Sequence, residues 1–346
     1  ALYVHIADVS RFVARGGALD REAKARGTSV YFPEFAIPML PEVLSNGLCS
    51  LVPDEDRYAV TVKIVFDRTG EKKETSFYRS IIRSRRRLTY SHVNRLFEGV
   101  LSDDDALMPF LQNARELADI LLENRDRRGV IEFDMPEAEF IFDDSGNIAD
   151  INPADRGYTE RMIECFMIAA NEAAAEYFHN GKIKSIYRVH DEPAVRKIEE
   201  WIMTAKNFGL SVPYMEYPVT SEYAARLSKI ALKSKHADLL NSLLIRSMMR
   251  AEYSVENTGH FGLASSAYTH FTSPIRRYPD LAVHRALLYS LGLGCLSETK
   301  GELKELAALC SVKEREAAEA EHDIGVFKKL QYISARYDDI FEGYIN

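Results

Sequence analysis

Two adjacent arginines, Arg276 and Arg277, lie in the segment His270–Asp280 between Pro274 and Pro279. Proline is tolerated in the first turn of a helix but interrupts a helix interior, so any helix must stop and restart at Pro279. The two arginines are therefore predicted to lie on an irregular bend. From a bend, a planar guanidinium can bind a phosphate with two parallel hydrogen bonds. The alternative is a pair of surface arginines at a helix start.

The segment Ser29–Pro41 combines three prolines with large apolar and aromatic side chains. The prolines exclude a helix and disfavour a central strand, which predicts a rigid, partly buried loop. Tyr31 lies in this loop. An aromatic ring at a fixed position can stack on a nucleic-acid base without reading the sequence, which stabilises binding by about 1–3 kcal/mol per base. The competing interpretation is a core tyrosine bonded through its hydroxyl.

A long helical pattern over Leu303–Ser334 carries an apolar stripe, and Glu321 lies on that stripe between Ala317 and Ile324. Its carboxylate is expected to point inward, where an unpaired charge is unfavourable. Such a group requires a cation, a metal ion or a proton. Glu314 lies on the same stripe two helical turns earlier, so position alone does not choose between the two glutamates.

The formal net charge of −8 argues at first against a nucleic-acid partner, because such binding depends largely on neutralising phosphates. The distribution of charge qualifies that argument. Four arginines alternate along Phe77–Leu88, a segment that is predicted to be a strand, and alternate strand residues share one face. The pattern indicates either a basic stripe that contacts nucleic acid or the solvated outer face of a sheet. The arginines are Arg79, Arg83, Arg85 and Arg87.

The remaining chemistry-bearing residues form no recognisable motif. Four scattered cysteines, with no CxxC pair, are predicted to be buried free thiols: Cys49, Cys165, Cys295 and Cys310. Five histidines are candidate acid–base groups without a partner pattern: His5, His190, His260, His270 and His284. No apolar run reaches the roughly 18 residues that a bilayer crossing needs, and no signal pattern opens the chain. We therefore expect a cytoplasmic protein without a membrane partner, acting as a monomer.

The order of secondary-structure patterns predicts an α+β fold with an antiparallel sheet core, hairpins in the first half and packed helices in the second. One hairpin pairs Tyr58–Phe66 with Ser76–Leu88, and another pairs Glu139–Phe142 with Ile148–Ile151. Helices are predicted over Asp103–Arg125, Thr159–Phe178, Pro193–Phe208, Ser221–Leu232, Ala237–Met249, Pro279–Leu291 and Leu303–Ser334. The chain starts without methionine inside a strand pattern, which indicates an excerpt of a longer protein.

Several ordered segments together resemble the ribonuclease II / ribonuclease R (RNB domain) family of processive 3′→5′ exoribonucleases. The resemblance covers nearly the whole chain. The segments are Ala1–Ser10, Tyr31–Arg57, Ile163–Ala173, Tyr187–Pro193 and His260–Asp280. The resemblance implies an RNB-type catalytic domain over residues 1–338 and the start of an OB-type RNA-binding barrel at residues 339–346. It also implies hydrolysis of single-stranded RNA to nucleoside 5′-monophosphates with little sequence preference.

The resemblance also implies roles for individual residues. Arg276 would hold the scissile phosphate and stabilise its developing charge, and Arg277 would contact neighbouring backbone. Tyr31 would stack on the 3′-terminal nucleotide. The segment Ala320–Asp323 matches the one that holds an active-site glutamate, which selects Glu321 to position the leaving end or a metal-bound water. A structural ion pair of Glu321 with Arg276 is the alternative.

The family resemblance implies a Mg²⁺-dependent reaction, in which two cations clamp the attacking and leaving oxygens. Family members carry an aspartate cluster that ends immediately before the segment matching Ala1–Tyr3. The numbered chain contains none of those aspartates, so we expect the Mg²⁺ ligands upstream of Ala1 and assign none within the chain. An aspartate cluster there favours the nuclease. Ser, Asn or Gly there favours the alternative, a catalytically inactive RNA-binding regulator on the same fold.

Overall fold

The structure, a computed structural model, describes residues 1–101, 107–131, 138–153, 157–215, 217–294, 298–334, 336 and 339–340. The strands are β1 Leu2–Ala7, β2 Val30–Tyr31, β3 Ala36–Ile37, β4 Asp56–Phe66, β5 Lys72–Arg83, β6 Ala138–Phe142, β7 Ile148–Pro153, β8 Tyr187–Val189 and β9 Glu252–Ser254. The helices are α1 Ala18–Arg26, α2 Tyr90–Phe97, α3 Leu107–Arg128, α4 Tyr158–Gly181, α5 Val195–Asn207, α6 Ser221–Leu232, α7 Ala237–Ser247, α8 Tyr278–Ser290 and α9 Lys300–Ser334.

The predicted α+β fold is confirmed, and its main sheet contains three antiparallel strands in the order β1-β4-β5. Alternating residues of β4 and β5 bury one face of the sheet, where Val60, Val62 and Phe77 meet small residues of α4. The second predicted hairpin, β6–β7, forms a separate two-stranded sheet. Hairpins and helices alternate more than the sequence predicted, because the unpredicted helices α1 and α2 also lie in the first half.

The prediction of one arginine-rich strand face over Phe77–Leu88 is wrong, because β5 ends at Arg83 and leaves Arg85 and Arg87 outside the strand. Arg79 lies on the same side of β5 as the buried Phe77. Its Nε lies 2.9 Å from the buried Asp8 carboxylate, and its Nη1 donates to the Leu293 carbonyl at 3.0 Å. Arg83 pairs with Asp56 at 2.8 Å. Both arginines of the strand therefore lie next to a carboxylate, at Asp8 and at Asp56.

Helix α8 is the central helix of the molecule. Every residue from Tyr278 to Leu288 is buried, since one side packs on the main sheet and α4 and another on α1 and α9. The three buried polar side chains of this stretch, Asp280, His284 and Arg285, all have hydrogen-bond partners, as burial requires. Pro279 lies in its first turn, which confirms that a helix restarts there. The segment that contains Arg276 and Arg277 therefore leads directly into a buried helix.

Helix α9 follows the predicted stripe for half of its length. Leu303, Leu306, Cys310 and Ala317 are buried, whereas Phe327 is 54% exposed because the helix runs beyond the core there. Glu321 lies just after the last buried position and is half-buried. Its carboxylate therefore lies at the core boundary, not inside the core.

The helices α5, α6 and α7 form a third packed group with its own core, in which the Trp201 indole donates to the Leu240 carbonyl at 2.8 Å. Cys49, Cys165 and Cys310 are buried free thiols as predicted, while Cys295 lies outside the described residues. No helix in the described part of the chain is long and apolar enough to span a membrane.

Candidate active site

The segment Ser273–Arg277, which we call the arginine turn, forms one tight turn directly before α8. The backbone N–H groups of Arg276 and Arg277 donate to the Ser273 carbonyl at 3.2 and 3.0 Å. The Asp280 carboxylate, from the first turn of α8, accepts the Ser273 N–H at 2.7 Å. The bend predicted from the two prolines is therefore present and is fixed by Asp280.

Arg277 is the second group that Asp280 holds. Its Nε and Nη2 donate to the two carboxylate oxygens, both at 2.8 Å, in a bidentate pair. Burial would lower the pKa of Arg277, but the Asp280 carboxylate more than offsets this and raises it. The guanidinium fork that was expected to reach RNA is directed at Asp280, so Arg277 braces the turn.

Arg276, in contrast, is exposed. Its carbonyl accepts hydrogen bonds from the Ser29 N–H at 2.9 Å and the Thr28 hydroxyl at 3.1 Å. A β-bridge joins Thr28 to Arg277, so the chain that leads into β2 runs beside the arginine turn. The backbone of Arg276 is thus fixed while its side chain faces outward.

Tyr31 and Glu321 meet next to this turn. The Tyr31 N–H donates to Glu321 Oε1 at 2.7 Å, and the Tyr31 ring is 49% exposed at the end of β2. The interpretation as a core tyrosine is therefore wrong. The predicted rigid loop is a small hairpin of β2 and β3, which an ion pair of Glu34 with Lys328 also ties to α9.

The segment Thr28–Tyr31 thus connects the two predicted site residues, since it bonds Arg276 at one end and Glu321 at the other. Among the described residues, no ion pair joins Arg276 to Glu321. Glu314, the other candidate of the stripe, pairs with Arg188 at 2.6 Å. The structure therefore separates the two glutamates: Glu314 has a cationic partner, and Glu321 holds the tyrosine hairpin.

Arg276 and Arg277 line an open cavity of about 510 Å³ between α4 and the arginine turn. We call it the arginine cavity. Its polar lining residues are Tyr90, Glu160, Glu164, Asn171, Arg188, His260, Tyr268, His270, Thr272, Ser273, Arg276 and Arg277. A wider cavity of about 1050 Å³ shares His260 with it but holds neither arginine of the turn. The arginine cavity is therefore the better candidate for an anionic ligand.

Buried polar groups form the floor of the arginine cavity. The Asn171 side chain donates to the Tyr268 hydroxyl at 2.9 Å and accepts the Phe271 N–H at 2.9 Å. Burial lowers the pKa of His260 to about 3, with help from His190 and Arg188, and raises the pKa of Tyr268 to about 12. At neutral pH the positive charge of the floor therefore comes from arginines and not from histidines.

Sequence reasoning gave no role to Glu160, Glu164, Asn171 or Arg188, although all four line the cavity. Glu164, Asn171 and Arg188 belong to the resembling segments Ile163–Ala173 and Tyr187–Pro193. The helical spacing of Glu164 and Asn171 on one face of α4 was the available signal.

The residues that the structure describes do not fit a Mg²⁺ site. Within the described ranges, no three or more His, Cys, Asp or Glu side chains are grouped so that they could hold a metal ion. Asp8, the carboxylate nearest the start, accepts the Ser10 hydroxyl at 2.5 Å and pairs with Arg79. Asp8 is therefore a structural group.

Residues 1–292 match the model of the RNB domain family. The chain is 44% identical to Ribonuclease R of Thermotoga maritima, over 98% of this chain and 49% of that protein. It spans about half the length of the curated relatives it matches.

Two solved structures are also similar to this chain. Mycoplasma genitalium RNase R in complex with ribose-methylated single-stranded RNA superimposes with a TM-score of 0.91 at 34% identity, over 96% of this chain and 53% of that one. The same enzyme in complex with double-stranded RNA gives a TM-score of 0.94 at 34% identity, over 99% of this chain and 62% of that one.

Proposed function

The chain belongs to the RNB domain family, and we propose that the protein containing it is a hydrolytic, processive 3′→5′ exoribonuclease that releases nucleoside 5′-monophosphates. The proposed substrate is single-stranded RNA. The RNA complexes of the Mycoplasma relative support RNA as the ligand class, and its double-stranded complex makes structured RNA a further candidate.

One observation carries this proposal: Asp280 engages Arg277 and leaves Arg276 exposed at the arginine cavity. A guanidinium whose backbone is fixed and whose side chain is exposed is suited to hold a scissile phosphate. Its positive charge can also stabilise the negative charge that develops at the phosphate during hydrolysis. Arg277 acts through the turn and is proposed to support Arg276.

Tyr31 and Glu321 form the rest of the proposed site. They lie at the end of the Thr28–Tyr31 segment opposite the end that bonds Arg276. The half-exposed Tyr31 ring is available to stack on the 3′-terminal base. Glu321 fixes the Tyr31 backbone through its Oε1, and we propose that its carboxylate also positions the leaving end or its attacking water.

The reaction is proposed to require Mg²⁺, which would activate the attacking water and neutralise the phosphate. Because the described residues do not fit such a site, we assign no ligand within this chain and expect aspartates upstream of Ala1. We further propose that the protein is a cytoplasmic monomer. The proposed domain boundaries stay at residues 1–338 and 339–346, although residues 341–346 lie outside the described part.

The inactive RNA-binding regulator is the weaker candidate. The 44%-identical relative is named as a ribonuclease, and Arg276 is exposed at the arginine cavity, where it could act on a phosphate.

The test is to incubate the complete protein with 3′-labelled and 5′-labelled oligoribonucleotides, with and without Mg²⁺. We expect immediate loss of the 3′ label as mononucleotide and abolition of that loss by a chelator. Release of the 5′ label first, or binding without any cleavage in Mg²⁺, would contradict the proposed function.

A further inference from the structure

His270 lies in the floor of the arginine cavity and has one bonded ring nitrogen. Its Nδ1 lies 2.8 Å from the Tyr253 hydroxyl, and the residue lines the cavity and is half-buried. Among the described residues, its Nε2 has no hydrogen-bond partner. Because Nδ1 is occupied by Tyr253, Nε2 is the ring nitrogen left for a ligand.

We assign the Tyr253 hydroxyl as the donor to His270 Nδ1, which fixes the tautomer of the ring. Burial strongly raises the pKa of Tyr253, so its hydroxyl stays protonated, and His270 Nδ1 is its one acceptor among the described residues. A neutral imidazole that accepts at Nδ1 must carry its hydrogen on Nε2. The cavity therefore presents an N–H donor at this position.

His270 is also kept neutral by its surroundings. Burial lowers its pKa well below the ordinary value, and the positive charges of Arg277, Arg188 and Arg276, with His260 beside them, act in the same direction. An uncharged donor among arginines suits an acceptor-only group such as a phosphate oxygen, since that group can use every donor around it.

We propose that His270 is a binding residue whose Nε2–H donates to a phosphodiester oxygen of a strand held in the arginine cavity. This inference rests on the proposed function for the identity of the ligand. It assigns to His270 a directional hydrogen bond without charge, beside the charged contact assigned to Arg276.

The variants H270N and H270Q separate this donor from the packing of the ring. Gln places an amide nitrogen near the position of Nε2, whereas Asn reaches only the position of Nδ1 and leaves no donor for the cavity. Affinity for a fluorescent single-stranded oligoribonucleotide is measured by anisotropy, with the complete protein in excess chelator so that turnover does not interfere.

We expect H270N to weaken binding about tenfold and H270Q to stay within about threefold of the wild-type protein. The matched control is H179N, at an exposed histidine near the end of α4 that does not line the arginine cavity. Melting temperatures check the fold, and H270A is the second donor-lacking variant if H270N does not fold.

Salt titration distinguishes a neutral donor from a cation. Each neutralised phosphate of a single strand contributes about 0.7 to the slope of log affinity against log salt. We expect R276A to reduce that slope by about 0.7 and H270N to leave it unchanged.

Wild-type affinity in H270N, equal loss in H270Q and H270N, or a slope that falls in H270N would overturn the assignment of His270. Because these measurements need no cleavage, they can fail while the labelled-oligonucleotide assay succeeds. The labelled-oligonucleotide assay can likewise fail while these binding measurements succeed, so the two proposals are tested separately.

Discussion

Arg276 and Arg277 are neighbours of one residue type with opposite environments. The carboxylate of Asp280, three residues after Arg277, accepts hydrogen bonds from Nε and Nη2 of Arg277. The same carboxylate also accepts the Ser273 N–H. The sequence predicted the bend from Pro274 and Pro279 but could not rank the arginines. Which of the two arginines pairs with Asp280 depends on the path of the backbone into the first turn of α8.

At Arg276, R276A is expected to lower the single-turnover rate by about 100-fold while changing RNA affinity by less than about tenfold. The reason is that its charge acts mainly on the developing negative charge at phosphorus. Rapid-quench kinetics and anisotropy measure the two quantities. R315A, at an exposed position of α9, is the matched control, and near-normal cleavage by R276A would refute the role.

At Tyr31, Y31A is expected to weaken binding of a single-stranded 3′ end by roughly 5-fold to 100-fold, because one stacked base contributes about 1–3 kcal/mol. Y31F keeps the ring and should bind nearly as well as the wild-type protein. Y289A, at an exposed tyrosine of α8, is the control in the same anisotropy assay. Equal loss in Y31F and Y31A would show that stacking is not the cause.

At the element scale, the hairpin β2–β3 is held between α9 and the arginine turn. Sequence reasoning placed Glu321 on an inward stripe and expected a cation, a metal ion or a proton as its partner. In the structure the partner of Glu321 is the Tyr31 N–H, because α9 extends beyond the core after Ala317 and contacts the β2–β3 hairpin there. A stripe in sequence does not show where a long helix stops being covered.

We expect E321A to speed amide exchange of the peptide 28–37, since the Tyr31 N–H loses its acceptor. E321Q retains an oxygen at the same place and should exchange slowly. Hydrogen–deuterium exchange with mass spectrometry measures this, with E319A on an exposed position of α9 as control. Unchanged exchange in E321A would mean that the contact does not hold the hairpin.

The helices α1 and α8 are joined by a buried network around Asp20. Its carboxylate accepts the Tyr278 hydroxyl at 2.7 Å, the Arg285 guanidinium at 2.6 Å and the Gly16 N–H at 2.7 Å. Helix α1 was not predicted, because it buries Ala23 and Asp20 and lacks a stripe of large apolar residues. Helix α2 was missed because it has only eight residues.

Burial would raise the pKa of Asp20, but the Gly16 N–H and Arg285 more than offset it, and the pKa is lowered from 3.8. The stability from ionised Asp20 is therefore full above about pH 4 and is lost as the pH falls through the lowered pKa. D20N should cost about 3 kcal/mol of unfolding free energy at pH 7, because it leaves Arg285 without its full partner.

Denaturant unfolding measures the difference between D20N and the wild-type protein, which should shrink below about pH 4. D126N, at a surface pair with Lys229, should cost less than about 1 kcal/mol. A D20N difference that does not depend on pH would contradict this account of the network.

At the scale of the whole molecule, periodicity predicted the fold class and seven of the described helices. The arginine cavity was not predictable in the same way. It combines α4, β8 and the arginine turn, and no local pattern shows that Glu164 and Arg188 face the same space as Arg276. The family resemblance selected Tyr31 and Glu321 as site residues. The hydrogen bond that joins them is a long-range contact that only the structure shows.

The whole-molecule account places the 3′ end of the RNA between the Tyr31 hairpin and the arginine cavity. The direct test is photocrosslinking of an oligoribonucleotide with a 3′-terminal 4-thiouridine to the complete protein in chelator, followed by peptide mapping. We expect cross-links within residues 28–37 and 270–277. Cross-links confined to α5, α6 and α7, or to the outer face of the main sheet, would contradict the account.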